Sequence, residues 1–524
     1  MTDGNGGVRG AVRDPETDRA RLRAIHAGLS AGDVPAAARL AEDALADGID
    51  HVMVLSLVAG RREDEGRFDE ALKLLRRARR AAPDAPGILN ALGLCLLRMG
   101  RWDEAIDAFG SALARDPAFA PALANRASAL MALARVKQAR RDFEAAAALD
   151  PANLVAANGL AALALRRGDA AEARRLAGTV LAREPGFPGA VLSLAGADIA
   201  QGRAHAAESA LRPLIGDVRL DPANRAIANG LLGEALDAQG RFAEAFEAWR
   251  ESNALQALQH KAPPGGRQSL SALVLDLGVR LEGKRIAAAW GQSGGGPARH
   301  HVFLAGFPGA GVARVGQLLE AHPDIMVSAE AEGLADAARD WMADGERFEA
   351  FCDAPDEALD AARAAYWKRI ADAGADPAGR VFVDAHGLNA FKLPLIARLF
   401  PEARVLFARR DPRDTILSCF RRRFEAADPI HQLLTLEGAA ETFAAVMAMA
   451  AASEKALGLY LHPVVLESLI ADADGQTKQI CDFIGVEWSE APGRALDAGG
   501  VGKWRDYEAQ MAPILPLLEP FVAR

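Results

Sequence analysis

A small residue returns every 34 positions through the first half of this chain. The series runs Gly32, Gly66, Gly100, Ala134, Gly168 and Gly202, and Gly240 follows after a short insertion. Five positions after each stands an alanine: Ala37, Ala71, Ala105, Ala139, Ala173, Ala207 and Ala245. Prolines keep the register at Pro83, Pro117, Pro151 and Pro185, with Pro222 displaced by three residues. A period of this length accommodates two helices, a tight turn and a short link. The glycine suits the inter-helix turn, where a positive φ is needed. The alanine lets two helix backbones approach closely, and the proline opens the next unit, where its missing N–H costs little. Units of this kind stack into a superhelix with a concave groove. Residues 19–255 are therefore expected to form an all-α array of seven units. The groove is expected to take a protein or peptide ligand; the alternative is a rigid spacer or a dimerisation surface. Arg67, Arg101 and Arg241, each following a turn glycine, read as solvated turn residues.

The 524 residues carry a net charge of −9, so nucleic acid is not expected as a general partner, and an anion site must be a local basic cluster. Cys95, Cys352, Cys419 and Cys481 lack metal-ligand spacing, which suggests free thiols in a reducing cytoplasm and no metal site. No apolar run reaches the roughly 18 residues of a membrane span, so membrane insertion is not expected. The first 18 residues have the composition of a disordered tail. Residues 256–299 form a linker with one or two helices, punctuated by "KAPPGGRQ" and "GQSGGGPARHH". His300 and His301 there read as exposed polar residues.

Residues 300–524 carry a different pattern. Apolar runs at 301–306, 381–385, 403–408 and 463–467 alternate with helical stretches, the mark of a parallel sheet with helices on both faces. Ligands of such sheets sit beyond the carboxyl ends of the strands. "HVFLAGFPGAGVAR" is a strand, a glycine-rich turn and a helix start, an arrangement that cradles anions on backbone N–H groups. It lacks the lysine and hydroxyl of a nucleotide triphosphate loop, because Val312 and Ala313 occupy those positions. Arg314 stands where a dinucleotide fingerprint needs its third glycine. In "ARVLFARRDPRDTILSCFRRRF", Arg410 leaves a strand end, while Ser418 and Arg422 are four residues apart and expected on one helix face. The three side chains are expected to converge on one phosphate.

On these segments, with "LESLIADADGQTKQICDFIGVEW" and "VGKWRDYEAQMAPILPLLEP", the second half resembles the sulfotransferase family. The first half resembles tetratricopeptide repeats, and the pairing resembles a bacterial branch joining such repeats to a domain like protein-tyrosine sulfotransferase. The resemblance implies an α/β, P-loop-like fold and 3′-phosphoadenosine 5′-phosphosulfate (PAPS) as co-substrate. It implies that Arg410, Ser418 and Arg422 hold the 3′-phosphate and that Lys503 reaches the nucleotide. Gly309, Ala310, Gly311, Val312 and Ala313 would wrap the 5′-phosphosulfate, and Glu330 would take the acceptor proton, with Glu332 as substitute.

The chain also departs from the family. Family loops typically read P-R-S-G-T-T, and this one reads Pro308-Gly309-Ala310-Gly311-Val312-Ala313. Ala385 replaces the lysine of D-K-M-P, and Leu466 replaces the tyrosine before the glutamate of Y-E-D-L. Arg314, His386 and Lys392 are candidates for the lost positive charge. Two functions follow as expectations: sulfuryl transfer to a hydroxyl positioned by the repeats, or a catalytically impaired scaffold that keeps the fold.

Overall fold

A computed structural model of the chain describes residues 15–133, 135–259, 269–283, 296–329, 331–424, 431–488 and 500–522. Ala134, Glu330, most of the expected tail and both breaker clusters lie outside the described residues, apart from the last residues of "GQSGGGPARHH". The chain divides into two compact units, Met1–Arg167 and Gly168–Arg524.

Among the described residues the first unit holds nine helices: α1 (Pro15–Ser30), α2 (Val34–Ala46), α3 (Val52–Asp64), α4 (Phe68–Ala81), α5 (Pro86–Arg98), α6 (Trp102–Arg115), α7 (Ala120–Ala132), α8 (Val136–Leu149) and α9 (Leu154–Arg166). The second begins with five more: α10 (Ala170–Arg183), α11 (Pro188–Ala200), α12 (Ala204–Gly216), α13 (Pro222–Asp237) and α14 (Phe242–Gln259). Fourteen helices match the two per unit that the period predicts. The turn glycines have positive φ, as at Gly66 and Gly100 (73° and 72°). The seven alanines are fully buried. The prolines sit in the inter-unit turns, and the displaced Pro222 opens α13 itself. A second signal passes unnoticed in the sequence: a Cβ on Gly93 or Gly233 would strike the ring of Phe109 or Trp249, so glycine there makes room for an aromatic side chain. Arg67, Arg101 and Arg241 pair with glutamates three residues on, at Glu70, Glu104 and Glu244.

After α15 (Leu270–Gly283), five strands form a fully parallel sheet: β1 (His300–Gly306), β2 (Ile325–Ser328), β3 (Val381–Asp384), β4 (Arg404–Arg409) and β5 (Leu461–Val465). Their order is β2-β3-β1-β4-β5. The strand β2 escapes a sequence reading because only Ile325 of its four residues is buried, which leaves no sustained apolar run. The last strand ends at Val465, so Leu466 and Glu467, expected in it, open a helix instead. His301 is a further correction. It is half-buried, its ring lies 4.4 to 5.8 Å from those of Phe303, Trp367, Phe382 and Phe400, and its Nε2 lies 2.9 Å from the Tyr366 hydroxyl. Pairing with β3 draws it out of the joint and into the sheet.

Val302 and Leu304 of β1 face one core, with Val315 and Leu319 of α16 (Val312–Glu320). Phe303 and Ala305 face the other, with Ile416 and Leu417 of α21 (Pro412–Phe420). Between these two helices in the chain lie α17 (Ala335–Trp341), α18 (Gly345–Cys352), α19 (Asp356–Asp372) and α20 (Leu393–Leu399). The chain thus leaves β1 toward one face and β4 toward the other, which opens a crevice beyond their carboxyl ends. Leu232 and Trp249 of the last repeat share the second core, so this repeat and the sheet bury apolar surface together.

Candidate functional site

The loop after β1 turns through Gly309 (φ 98°) and Gly311 (φ 100°), and Gly311 caps α16 in the left-handed region. The Ala310 N–H is engaged by Phe307 O at 2.9 Å. The first turn of α16, with Val312 and Ala313, presents N–H groups that have no acceptor within the helix. The loop lies hard against α21. A Cβ on Gly309 would stand 2.3 Å from Thr415 O, 2.9 Å from Cys419 N and 3.2 Å from Ser418 Cβ.

Arg410 emerges at the end of β4 with a side chain 8% exposed. Its Nη1 donates to Gly309 O at 3.3 Å, and its Nη2 donates to Gly500 O. Asp414 lies one helical turn on, at 4.0 Å. Burial holds the Arg410 guanidinium below its ordinary range; Asp414 opposes this, and the nearby charge of Arg314 adds to it. The α16 helix thus brings Arg314 within electrostatic reach of Arg410. Asp414 is fully buried and accepts from Gly502 N at 2.6 Å and Trp504 N at 2.9 Å. Burial raises its pKa, and those two N–H groups oppose the rise. Glu467 accepts from Asp411 N at 2.9 Å, and Arg413 lies 4.1 Å over the Trp504 ring while pairing with Asp411. Together these bonds lay residues 500–507 across the mouth of the crevice.

Beside them is a cavity of about 820 Å³, lined by Phe307, Arg410, Thr415, Phe443, Glu467 and Gly502 among others. Phe443 belongs to α22 (Leu436–Leu457). Two buried polar atoms on its lining residues, Arg410 Nε and Thr415 Oγ1, have no hydrogen-bond partner among the described residues. Buried polar groups are usually paired, so such atoms mark places where a ligand or water completes the set.

The predicted residues separate into groups. Ser418 is half-buried, under the loop. Arg422 does not share its helix face. The helix stops at Phe420, whose carbonyl accepts from Asn253 Nδ2 of α14 at 3.0 Å, and Arg422 N turns back to Cys419 O. Arg422 is exposed, and its charge is felt at His386, beyond β3. Lys503 does not face the cavity as expected from the resemblance. Its Nζ is 3.1 Å from Asp237 of the last repeat and 3.0 Å from Asp506.

At the end of β3, Asp384 is fully buried and accepts from Tyr366 Oη (2.9 Å), His386 N (3.1 Å) and Asn389 Nδ2 (2.8 Å). Because the tyrosine hydroxyl donates to Asp384, the network assigns the Nε2–H tautomer to His301. Lys392 is buried and pairs with Glu332. Burial alone would raise the Glu332 pKa, but the charges around it, Lys392 foremost, together hold it below the ordinary carboxylate range. Burial and the Lys392 charge lower the His386 pKa, which keeps that imidazole neutral. Thr415, Asp414 and Glu467 are lining residues the sequence reading missed. Asp414 had a signal in its i, i+4 spacing from Arg410, and Glu467 in standing at the glutamate of the Y-E-D-L motif; Thr415 had none.

Residues 301–490 match the model of the sulfotransferase family, whose members use PAPS as co-substrate. Residues 61–121, 125–191 and 164–227 match tetratricopeptide repeat models. Among solved structures, a tetratricopeptide repeat protein from Parabacteroides merdae is 17% identical (TM-score 0.35), covering 46% of this chain and 93% of its own. A thermophilic repeat protein of Thermus thermophilus is 21% identical (TM-score 0.30), covering 37% and 99%. Among the described residues no helix is long and apolar enough to cross a membrane, and no group of three or more His, Cys, Asp or Glu could hold a metal. With the parallel sheet and the repeat helices in place, the chain is a tetratricopeptide repeat array carried together with a sulfotransferase-family domain.

Proposed function

We propose that the second unit binds PAPS beyond the carboxyl ends of β1 and β4 and transfers its sulfuryl group to a hydroxyl of a protein or other acceptor presented by the repeats. The observation that carries this reading is the cavity of about 820 Å³ with Arg410 Nε and Thr415 Oγ1 unpaired on its lining residues. Arg410 and Ser418 take the 3′-phosphate, and the loop from Gly309 to Ala313 offers N–H groups to the 5′-phosphosulfate. In the transfer the acceptor oxygen attacks sulfur, the bond from sulfur to the phosphate oxygen breaks, and adenosine 3′,5′-bisphosphate leaves. The acceptor proton goes to a base. Glu330 is the candidate at the family position; Glu332 and the neutral His386 are the described groups suited to the role. Tetratricopeptide repeats engage proteins, so the groove is the natural seat for the acceptor or a carrier of it.

A second reading, nucleotide binding without turnover, is favoured by the geometry of Gly309. With Thr415 O 2.3 Å from a Cβ there, no arginine fits at this position while the loop lies on α21. Losing one donor to the transition state costs about 2.7–4 kcal/mol. The charge of Arg314, felt at Arg410, is a candidate replacement.

Calorimetric titration with adenosine 3′,5′-bisphosphate tests the binding step. Saturable binding is expected, weakened about a hundredfold in Arg410→Ala as two charged hydrogen bonds are lost. A wild-type chain that does not bind sinks the reading. Transfer of label from radioactive PAPS, compared with Arg314→Ala, Glu330→Gln and Glu332→Gln, then separates turnover from binding alone.

A further inference from the structure

We propose that Asp237, the last residue of the repeat helix α13, is a positioning residue for the nucleotide cavity. The role in nucleotide binding rests on the function proposed above. A carboxylate at a helix C-terminus meets the negative end of the helix dipole and needs compensation. Asp237 has three donors: Tyr507 Oη at 2.5 Å, Lys503 Nζ at 3.1 Å and Arg421 Nη2 at 3.2 Å. Its side chain is 12% exposed, so these contacts are little screened.

The donors come from two walls of the crevice. Arg421 caps the C-terminus of α21, the helix that carries Thr415 and Ser418. Lys503 and Tyr507 belong to the closing segment. That segment gives its Gly502 and Trp504 N–H groups to Asp414 and its Gly500 carbonyl to Arg410. Asp237 therefore holds, from the repeat side, the same eight residues that Asp414 and Arg410 hold from the site side.

The packing around it supports the same role. The Tyr507 ring sits 5.5 Å from both Phe242 and Trp249, and the Arg421 guanidinium lies 4.5 Å over Trp249. Phe246 stacks on Phe420 at 5.0 Å. Asn253 and Gln256, both buried on α14, bond Phe420 O and Phe424 N on either side of the turn that carries Arg421 and Arg422. The last repeat thus packs behind two elements that line the cavity, α21 and the closing segment, and its charge sets where residues 500–507 lie.

Hydrogen–deuterium exchange on the full chain without nucleotide provides the test. In Asp237→Asn, amides of 500–507 are expected to exchange about tenfold faster while those of β1 and β4 are unchanged. Asp237→Glu, which keeps the charge, is expected to restore slow exchange. Tyr507→Phe keeps the ring and removes one donor, so it gives a smaller acceleration and serves if the Asn variant fails to fold. Unchanged exchange at 500–507, equal acceleration in β1 and β4, or no restoration by Glu overturns the proposal. Bisphosphate affinity is measured alongside, and about a tenfold loss is expected in Asp237→Asn. A wild-type chain that binds no bisphosphate removes the functional reading, whereas the exchange data judge Asp237 independently.

Discussion

Gly100 in a repeat turn and Gly309 in the strand-end loop both have positive φ, 72° and 98°. Their surroundings differ completely. Nothing lies within 4 Å of a Cβ built on Gly100, while one on Gly309 meets backbone atoms of α21 at 2.3 and 2.9 Å. The first glycine answers only to its own dihedral angle. The second answers to a helix a hundred residues away in the chain. A repeat turn is a local solution copied at each period, and the anion loop is a tertiary one, shaped by what packs on it.

The largest test of that difference is Gly309→Arg, which puts back the family residue. It is expected to cost about 3 kcal/mol or more, from a clash with backbone and a disfavoured φ together. Urea unfolding followed by tryptophan fluorescence reads it; wild-type stability would show that the loop lifts from α21 freely and would break the contrast. Next is acid. Burial pushes the His301 imidazole down to about 3, so the folded form binds fewer protons than the unfolded chain between pH 6.5 and that value. The stabilisation it reports is complete above 6.5 and is lost as pH falls through that window, by at most about 1.4 kcal/mol per pH unit. A pH series of melts should show the second unit weakening from 6.5 downward, with less slope in His301→Gln.

Smaller effects belong to the repeats. Ala105→Leu overfills a fully buried helix contact and is expected to cost about 2 kcal/mol in the stability of the first unit. Gly100→Ala strains one left-handed residue and nothing else, for about 1 kcal/mol, measurable as a shift in the denaturation midpoint. If Gly100→Ala cost as much as the change at Gly309, the distinction between local and tertiary glycines would fail.

Legibility follows the same division. The repeat helices could be read because each unit repeats one set of demands, so turn glycine, contact alanine and link proline confirm one another. The sheet was readable where a strand carries a buried apolar run, as in the four-residue β3, and β2, with one buried residue of four, was not. At the site, Arg410 was visible as an arginine at a strand end. Thr415 was invisible, since a threonine in a helix carries no pattern. Arg422 was expected one turn after Ser418 on a helix face. The helix ends sooner because Asn253, from a repeat over 160 residues away, takes the Phe420 carbonyl. Lys503, assigned by resemblance to the nucleotide, turns to Asp237 because that half-buried carboxylate outcompetes solvent for the ammonium group.

By itself the sequence determined the helical period, the parallel strands and the glycine loop, because each depends on spacing along the chain. Only the tertiary structure decided that Gly309 has no room for an arginine, that Asp414 and Asp237 share residues 500–507, and that the last repeat packs behind the elements lining the cavity. Those outcomes depend on which distant atoms meet, and burial then fixes which charges must pair.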